Sequence, residues 1–127
     1  MAKIEYAQFY FCQYPVKQQA GIAVLSSQGR QECQQKIDYY LTNAHLLKQT
    51  LSNCNFTCYG GTDNPYIWLK APGEMTSWQF FDQLLHETGI VGIPGNLFGK
   101  SGESYLRLSA LGKRDTVETI VKRLSEI

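Results

Sequence analysis

Arg107 has the clearest chemical potential of any side chain in this sequence, and it lies in a short alternating run at residues 105–109. Leu106 and Leu108 alternate with it, so on a pleated strand the leucines face one side and Arg107 faces the other. A glycine-rich segment, residues 92–103, comes directly before this run. A guanidinium on a rigid strand beside a tight loop is suited to bind a carboxylate through two parallel hydrogen bonds. The pattern therefore makes Arg107 a candidate carboxylate-binding residue.

An ordinary surface arginine on an edge strand is the alternative interpretation of Arg107, because charged side chains mostly face solvent. Spacing alone does not distinguish the two. It also does not show whether Glu103 and Asp115 lie near one another, and they form no recognisable pair of catalytic acids.

The glycine-rich segment imitates a phosphate-binding P-loop in its run from Gly95 through Gly99, Lys100 and Ser101. That motif needs four residues between its glycines and a helix after them, whereas this sequence has three residues and then a strand-like run. We therefore interpret the segment as a turn that lets the backbone approach a ligand or another subunit, and not as a nucleotide site.

Four cysteines are present, at Cys12, Cys33, Cys54 and Cys58. Only the last two are close together, and neither His45 nor His86 is spaced to complete a zinc site. We interpret the cysteines as reduced packing thiols and both histidines as structural, and we expect no metal. No nucleophile motif accompanies the histidines, and no lysine stands in a setting typical of a Schiff base.

The overall composition is that of one ordinary globular domain, with 127 residues, 43% hydrophobic and 18% charged, and a formal net charge of +1. So small a charge argues against nucleic acid or an anionic membrane as a partner. The apolar runs fall far short of the roughly 20 residues that cross a bilayer. The first residues lack the apolar core of a secretory signal, so we expect a cytoplasmic protein.

The first 15 residues form a segment distinct from the domain that we expect over residues 16–127. It is rich in aromatic side chains and poor in charge: Tyr6, Phe9, Tyr10, Phe11 and Tyr14. Such a segment is expected to pack against this domain or against a partner.

Four helices are predicted, at residues 16–25, 30–51 and 77–87 and from Asp115 to near the end of the sequence. In the second helix, apolar residues recur at spacings of three and four, which predicts a buried stripe from Cys33 and Ile37 through to Leu51.

Capping signals define the two later helices. Thr76, with Gln79 three residues on, predicts a capping box, and Gly89 supplies a stop. The core face of this third helix is predicted to consist of Trp78, Phe81, Leu84 and Leu85. Asp115 is predicted to cap the last helix, with Glu118 in the matching box position.

Four short strands are predicted, at residues 56–59 and 66–70, from Ile90, and at residues 105–110. The order of elements is helix, helix, strand, strand, helix, strand, strand, helix. This order predicts an α+β domain, in which helices pack on a small, mostly antiparallel sheet of three or four strands.

Four segments in order are also typical of one protein family: residues 36–47, 59–68, 91–99 and 102–114. Over roughly residues 18–125 the chain resembles the C-terminal part of the LL-diaminopimelate aminotransferases, within the class I/II pyridoxal-phosphate aminotransferases of fold type I. The pattern P-G-x-x-F-G followed by G-E-x-x-x-R-x-S is shared by many class I/II aminotransferases. It therefore indicates the superfamily more strongly than it indicates a substrate.

The resemblance implies that this region is the small domain, which closes over the active site. The arginine of the R-x-S motif binds the substrate α-carboxylate in that family, and Arg107 matches it. The family's glycine-proline loop shapes the substrate entrance, and its matching residues here are Pro94, Gly95, Phe98 and Gly99. The complete enzyme would act in lysine biosynthesis, transferring an amino group between a dicarboxylic amino acid and 2-oxoglutarate.

The resemblance also implies pyridoxal phosphate as cofactor of the complete enzyme. The family's aldimine lysine, its pyridine-binding aspartate and its main phosphate-binding residues precede the part matched here. We therefore expect this chain alone to bind no cofactor and to be inactive, and to work as a homodimer or with a complementing large-domain chain. The alternative is a non-catalytic binding or dimerisation module whose Arg107 binds small dicarboxylates.

Overall fold

A computed structural model of the chain describes residues 15–125, so the aromatic segment predicted at the start lies almost wholly outside the described residues, and the domain over 16–127 stays a prediction. The described part contains helices α1 (Pro15–Leu25), α2 (Ser27–Asn53), α3 (Ser77–Thr88) and α4 (Arg114–Leu124). Its strands are β1 (Cys58–Gly60), β2 (Tyr66–Lys70), β3 (Ile93–Pro94) and β4 (Tyr105–Ser109). No helix in these residues combines the length and apolarity that a membrane span requires.

The described residues divide into two compact units, the first ending at Asp38 and the second beginning at Tyr39. In the first unit, every side chain of α1 is exposed. The predicted buried stripe of α2 is wrong at its start, because Cys33 is exposed and Ile37 retains 49% of its accessible surface. Burial along α2 begins at Asn43, in the second unit. Periodicity shows that a helix is amphipathic, but not how far along its length a packing partner extends.

A four-stranded sheet in the order β1-β2-β4-β3 organises the second unit, and every neighbouring pair is antiparallel. The predicted α+β class and antiparallel sheet are therefore confirmed. The third strand begins at Ile93, three residues later than predicted, because Ile90 is buried beside the end of α3, where its N–H donates to the Thr88 hydroxyl at 3.1 Å.

In the described residues the sheet has one buried face and one partly exposed face, which we call the open face. Alternate residues of β2 and β4 are buried, namely Ile67, Leu69, Leu106 and Leu108. They share a core with apolar side chains of the helices: Leu47 and Leu51 of α2, Phe80 and Leu84 of α3, and Val117 and Leu124 of α4. The residues between them on the strands, Arg107 included, therefore project from the opposite face.

Helix α3 begins and ends as its sequence predicts. Thr76 and Gln79 form the capping box, and Gly89 follows the helix in a left-handed conformation. The predicted core face is wrong at Trp78, which is 48% exposed, whereas Ser77 and Phe80 are buried. The Ser77 hydroxyl donates to the Gly102 carbonyl at 3.2 Å, and this contact requires the Ser77 side of the helix to face inward.

Helix α4 does not begin as predicted, because Lys113 occupies the N-cap position and its own side chain makes no capping hydrogen bond. Asp115 lies inside the first turn, where its charge complements the helix dipole. The backbone N–H of Arg114 donates instead to the hydroxyl of Tyr39 at 2.6 Å. A tyrosine distant in sequence thus satisfies the donor that a local cap would have taken.

The Glu103 carboxylate fastens the glycine-rich loop to the first residue of α3. Its Oε1 accepts hydrogen bonds from the backbone N–H of Ser77 at 2.7 Å and of Ser104 at 3.2 Å. The Ser77 N–H, and after it that of Ser104, stabilise the charged form and lower the pKa of Glu103 from its ordinary value.

Glu103→Gln is expected to lower the melting temperature near neutral pH, because the neutral amide accepts these hydrogen bonds more weakly. A carboxylate whose pKa is lower in the folded chain stabilises the fold above its unfolded pKa of about 4.3 and loses this contribution as the pH falls through the folded pKa. The Tm difference between wild type and variant should therefore shrink in acid. Melting curves across a pH series measure it, with exposed Glu74→Gln as control. A difference that stays constant into acid would contradict this role.

Candidate functional site

Arg107 projects from an inner strand of the sheet. Strand β4 pairs with β2 on one side and with β3 on the other, so Arg107 lies opposite Trp68 and also opposite Ile93. The edge-strand position in the alternative interpretation is therefore wrong, and the predicted alternation with Leu106 and Leu108 is confirmed. Neighbouring strands on both sides fix the backbone from which the guanidinium extends.

Two aromatic rings lie against the Arg107 guanidinium. Its Cζ lies 4.6 Å from the ring centroid of Tyr66 and 4.3 Å from that of Phe98. Phe98 also contacts Trp68, with ring centroids 5.3 Å apart and planes at 79°. Cations within about 6 Å of an aromatic centroid are attracted to the ring face. The side chain is therefore held by aromatic contacts from both the sheet and the loop.

The Nε atom of Arg107 is buried and has no hydrogen-bond partner among the described residues. Buried polar groups nearly always have a partner, and leaving one unsatisfied costs about 1–3 kcal/mol. Residues 15–125 thus provide no hydrogen-bond acceptor for this N–H, and a guanidinium not already paired with a carboxylate can bind an anionic ligand.

The loop that carries Phe98 consists of two short 3₁₀ turns, Gly95–Phe98 and Lys100–Gly102. The chain then enters β4, as the sequence predicts, so these P-loop-like residues lead into a strand and not into an α-helix. Gly99 joins the two turns at φ 117°, a left-handed conformation that glycine adopts without strain.

The base of this loop is a direct backbone contact between Gly95 and Gly102. A Cβ atom at Gly95 would collide with the carbonyl oxygen of Gly102, and a Cβ at Gly102 would collide with that of Gly95. Pro94 is buried, and it pairs with Leu106 across the β3–β4 ladder. Glycines at these two positions allow the loop to close tightly and to place Phe98 over the open face.

A cavity of about 420 Å³ lies on the open face next to Phe98. Its walls are mainly aromatic and consist of Tyr59, Trp68, Phe98, Ser101, Gly102 and Tyr105. The rings form edge-to-face pairs, with Tyr59 and Tyr105 centroids 6.2 Å apart. Phe98 therefore borders the cavity while it also contacts Arg107.

The loop and the arginine predicted from the sequence thus come together, and the aromatic residues of β2 were missed. Tyr66 and Trp68 alternate with buried Ile67 and Leu69, and this pattern could have assigned them to the face of Arg107. What the pattern could not supply is the register, which places Trp68 directly opposite the arginine.

The hydrogen bonds of the described histidines and cysteines involve neither Arg107 nor the walls of the cavity. His86 Nδ1 is 2.8 Å from the Asp82 carbonyl oxygen on its own helix, and His45 is exposed. Cys54 donates to the Leu124 carbonyl at 3.3 Å, and Cys33, Cys54 and Cys58 are free thiols. Within residues 15–125, histidine, cysteine and acidic side chains form no group that could hold a metal ion.

Residues 5–124 match the family model described as "Aminotransferase class I and II". The chain is 50% identical over 109 residues to an LL-diaminopimelate aminotransferase of Parabacteroides distasonis and 46% identical over 112 residues to that of Prochlorococcus marinus. These alignments include 86% and 88% of this chain, but the chain spans only 27% and 28% of the length of these relatives.

Solved aminotransferase structures contain the same fold. The chain superposes on the L,L-diaminopimelate aminotransferase of Chlamydomonas reinhardtii with a TM-score of 0.85 and 38% identity, covering 89% of this chain and 28% of that one. An aromatic aminotransferase from Pyrococcus horikoshii shares the fold, with a TM-score of 0.75 and 22% identity over 84% of this chain and 29% of that one.

Gly95→Ala is expected to destabilise the protein by about 1–3 kcal/mol, because the added methyl group must displace the Gly102 carbonyl. Gly112→Ala is the matched control, since the nearest atoms to a Cβ there are side-chain carbons of Thr116 at ordinary contact distances of 3.8 and 3.9 Å. Urea unfolding measures both free energies. Equal free energies of unfolding for the two variants would contradict the tight closure of the loop.

Proposed function

This chain belongs to the aminotransferase class I and II family, and from that premise we propose that it is the small domain of a diaminopimelate-type aminotransferase, in which Arg107 binds a substrate carboxylate. The observation that carries the proposal is the Arg107 guanidinium, which lies against the rings of Tyr66 and Phe98 and whose Nε has no hydrogen-bond partner among the described residues. The relatives named above supply the substrate class, a dicarboxylic amino acid.

The chemistry of the guanidinium suits this role. Two of its N–H groups can donate in parallel to both oxygens of a carboxylate, which fixes the position and the plane of the ligand. Both an amino acid and a 2-oxo acid carry a carboxylate next to the reacting carbon. One arginine can therefore hold either substrate of a transamination, and we propose 2-oxoglutarate as the amino-group acceptor.

Complete enzymes of this family depend on pyridoxal phosphate, which acts as an electron sink when an amino acid reacts. The cavity beside Phe98 does not fit a site for this cofactor. The walls of the cavity beside Phe98 contain no lysine, and the Lys48 ammonium donates to the Thr62 hydroxyl at 3.2 Å. We propose that this part of the enzyme binds and orients the carboxylate, while other residues bind the cofactor.

The relatives are much longer than this chain, and this difference in length suggests which partner Arg107 needs. Because this chain spans little more than a quarter of their length, we propose that Arg107 acts together with a large domain, either in a homodimer of complete subunits or on a complementing chain. The open sheet face is the surface on which the site would be completed.

The 127-residue chain is expected to bind glutarate weakly, in the millimolar range, in a manner that depends on Arg107. Arg107→Ala should abolish binding, and Arg107→Lys should weaken it about tenfold or more, because lysine keeps the charge but loses the bidentate geometry. Calorimetric or NMR titration measures the affinity. Arg114→Ala is the matched control, since Arg114 also lies over a tyrosine ring, that of Tyr39 at 5.9 Å. Affinity that survives Arg107→Ala would overturn the proposal.

The same chain is expected to show no transamination when pyridoxal phosphate, an amino acid and 2-oxoglutarate are supplied. Its described lysines lie outside the walls of the cavity, so aldehyde addition should be scattered and weak. Borohydride reduction followed by peptide mass spectrometry tests this expectation. A stoichiometric adduct at one lysine, together with turnover, would contradict it.

A further inference from the structure

We propose that Phe98 is a positioning residue for Arg107, which holds the guanidinium in the orientation used to bind a carboxylate. This inference rests on the proposed function of Arg107 and adds a second residue to it. Phe98 lies on the glycine-rich loop and Arg107 on β4, so the contact between them links the loop to the strand.

The exposure of Phe98 is the first observation. It retains 50% of its accessible surface, although it is a large apolar side chain, and its ring contacts the Arg107 guanidinium at 4.3 Å and the Trp68 ring at 5.3 Å. A phenylalanine placed only for core packing would be buried in the apolar cluster under the sheet. This ring lies instead on the open face, where it contacts the guanidinium of Arg107.

The rigidity of the loop base is the second observation. Backbone contact between Gly95 and Gly102 closes the loop, and the Ser77 hydroxyl donates to the Gly102 carbonyl at 3.2 Å. The carboxylate of Glu103, the next residue, is bound to the Ser77 N–H. Three constraints thus fix the frame from which Phe98 extends, and the ring has a defined position relative to β4.

The chemistry of the contact explains why a ring occupies this position. An acidic side chain would orient Arg107 equally well, but it would occupy the N–H donors and compete with the ligand. A ring attracts the cation through its π face and accepts no strong hydrogen bond, so the donors remain available. Among the described residues, no acidic side chain accepts a hydrogen bond from the Arg107 Nε.

Tyr66 and Phe98 have different parts in this arrangement. Tyr66 is held by the β2–β4 ladder, where it lies opposite Ser109, and its position follows from the sheet. Phe98 depends on the closed loop. Loss of the Phe98 ring should therefore leave Arg107 with one aromatic contact and greater freedom about its side-chain torsions, and carboxylate affinity should fall by about threefold to tenfold.

The test compares three variants of the 127-residue chain: Phe98→Leu, Phe98→Tyr and Leu97→Ala. Leu97 is the matched control, because it belongs to the same 3₁₀ turn and is 63% exposed. The readouts are the Arg107 Nε–H signal in ¹H–¹⁵N spectra, assigned by its absence in Arg107→Lys, its heteronuclear NOE, and the dissociation constant for glutarate.

We expect Phe98→Leu to remove the ring-current shift of the Nε–H signal, lower its NOE and weaken glutarate binding. Phe98→Tyr should restore all three, and Leu97→Ala should change none of them. Urea unfolding of each variant separates this effect from general destabilisation. A Phe98→Leu protein that keeps the wild-type signal and affinity within about twofold would overturn the positioning role.

The two proposals fail in different ways. If glutarate binding by the wild type does not require Arg107, the proposed function fails, whereas the Nε–H shift and NOE still report whether Phe98 orders the guanidinium. If binding requires Arg107 but is insensitive to Phe98→Leu, the proposed function stands and the positioning role is rejected.

Discussion

The pairing of β2 with β4 is the constraint on which the site depends. In this register the four apolar side chains of the two strands fall opposite one another and form the face that the helices cover. Because side chains alternate with a period of two, the same register places Trp68 opposite Arg107 on the other face. A slip of one residue would bury the guanidinium and expose the leucines. The core therefore specifies the geometry of the site.

Closure of the loop between β3 and β4 is the second constraint, and it is independent of the first. The sheet determines where Arg107 is, but only the loop brings Phe98 above it. Two backbone segments meet at Gly95 and Gly102 without room for a side chain, and Glu103 then ties the loop to α3. Glycine here serves close approach of backbone to backbone and not the binding of phosphate.

The sequence predicted the local features well, because they depend on signals a few residues apart. The capping box at Thr76, the stop at Gly89 and the alternation around Arg107 belong to this group. The errors arise where distant residues decide the outcome. At the start of α4, the Tyr39 hydroxyl, and not the Asp115 side chain, accepts a hydrogen bond from the backbone N–H of Arg114. In α3, the hydrogen bond from Ser77 to the loop directs that side of the helix inward and leaves Trp78 exposed.

Local sequence signals make Arg107 recognisable, whereas residues distant in sequence form the surroundings of its guanidinium. Its motif and strand pattern are local, but its aromatic neighbours come from β2 and from the loop. These contacts fix the side chain without using its hydrogen-bond donors. On the proposed function, a substrate held by Arg107 must also reach the residues that bind the cofactor. The substrate would then contact both Arg107 and the cofactor. The orientation of the Arg107 guanidinium would determine where the reacting carbon of the substrate lies.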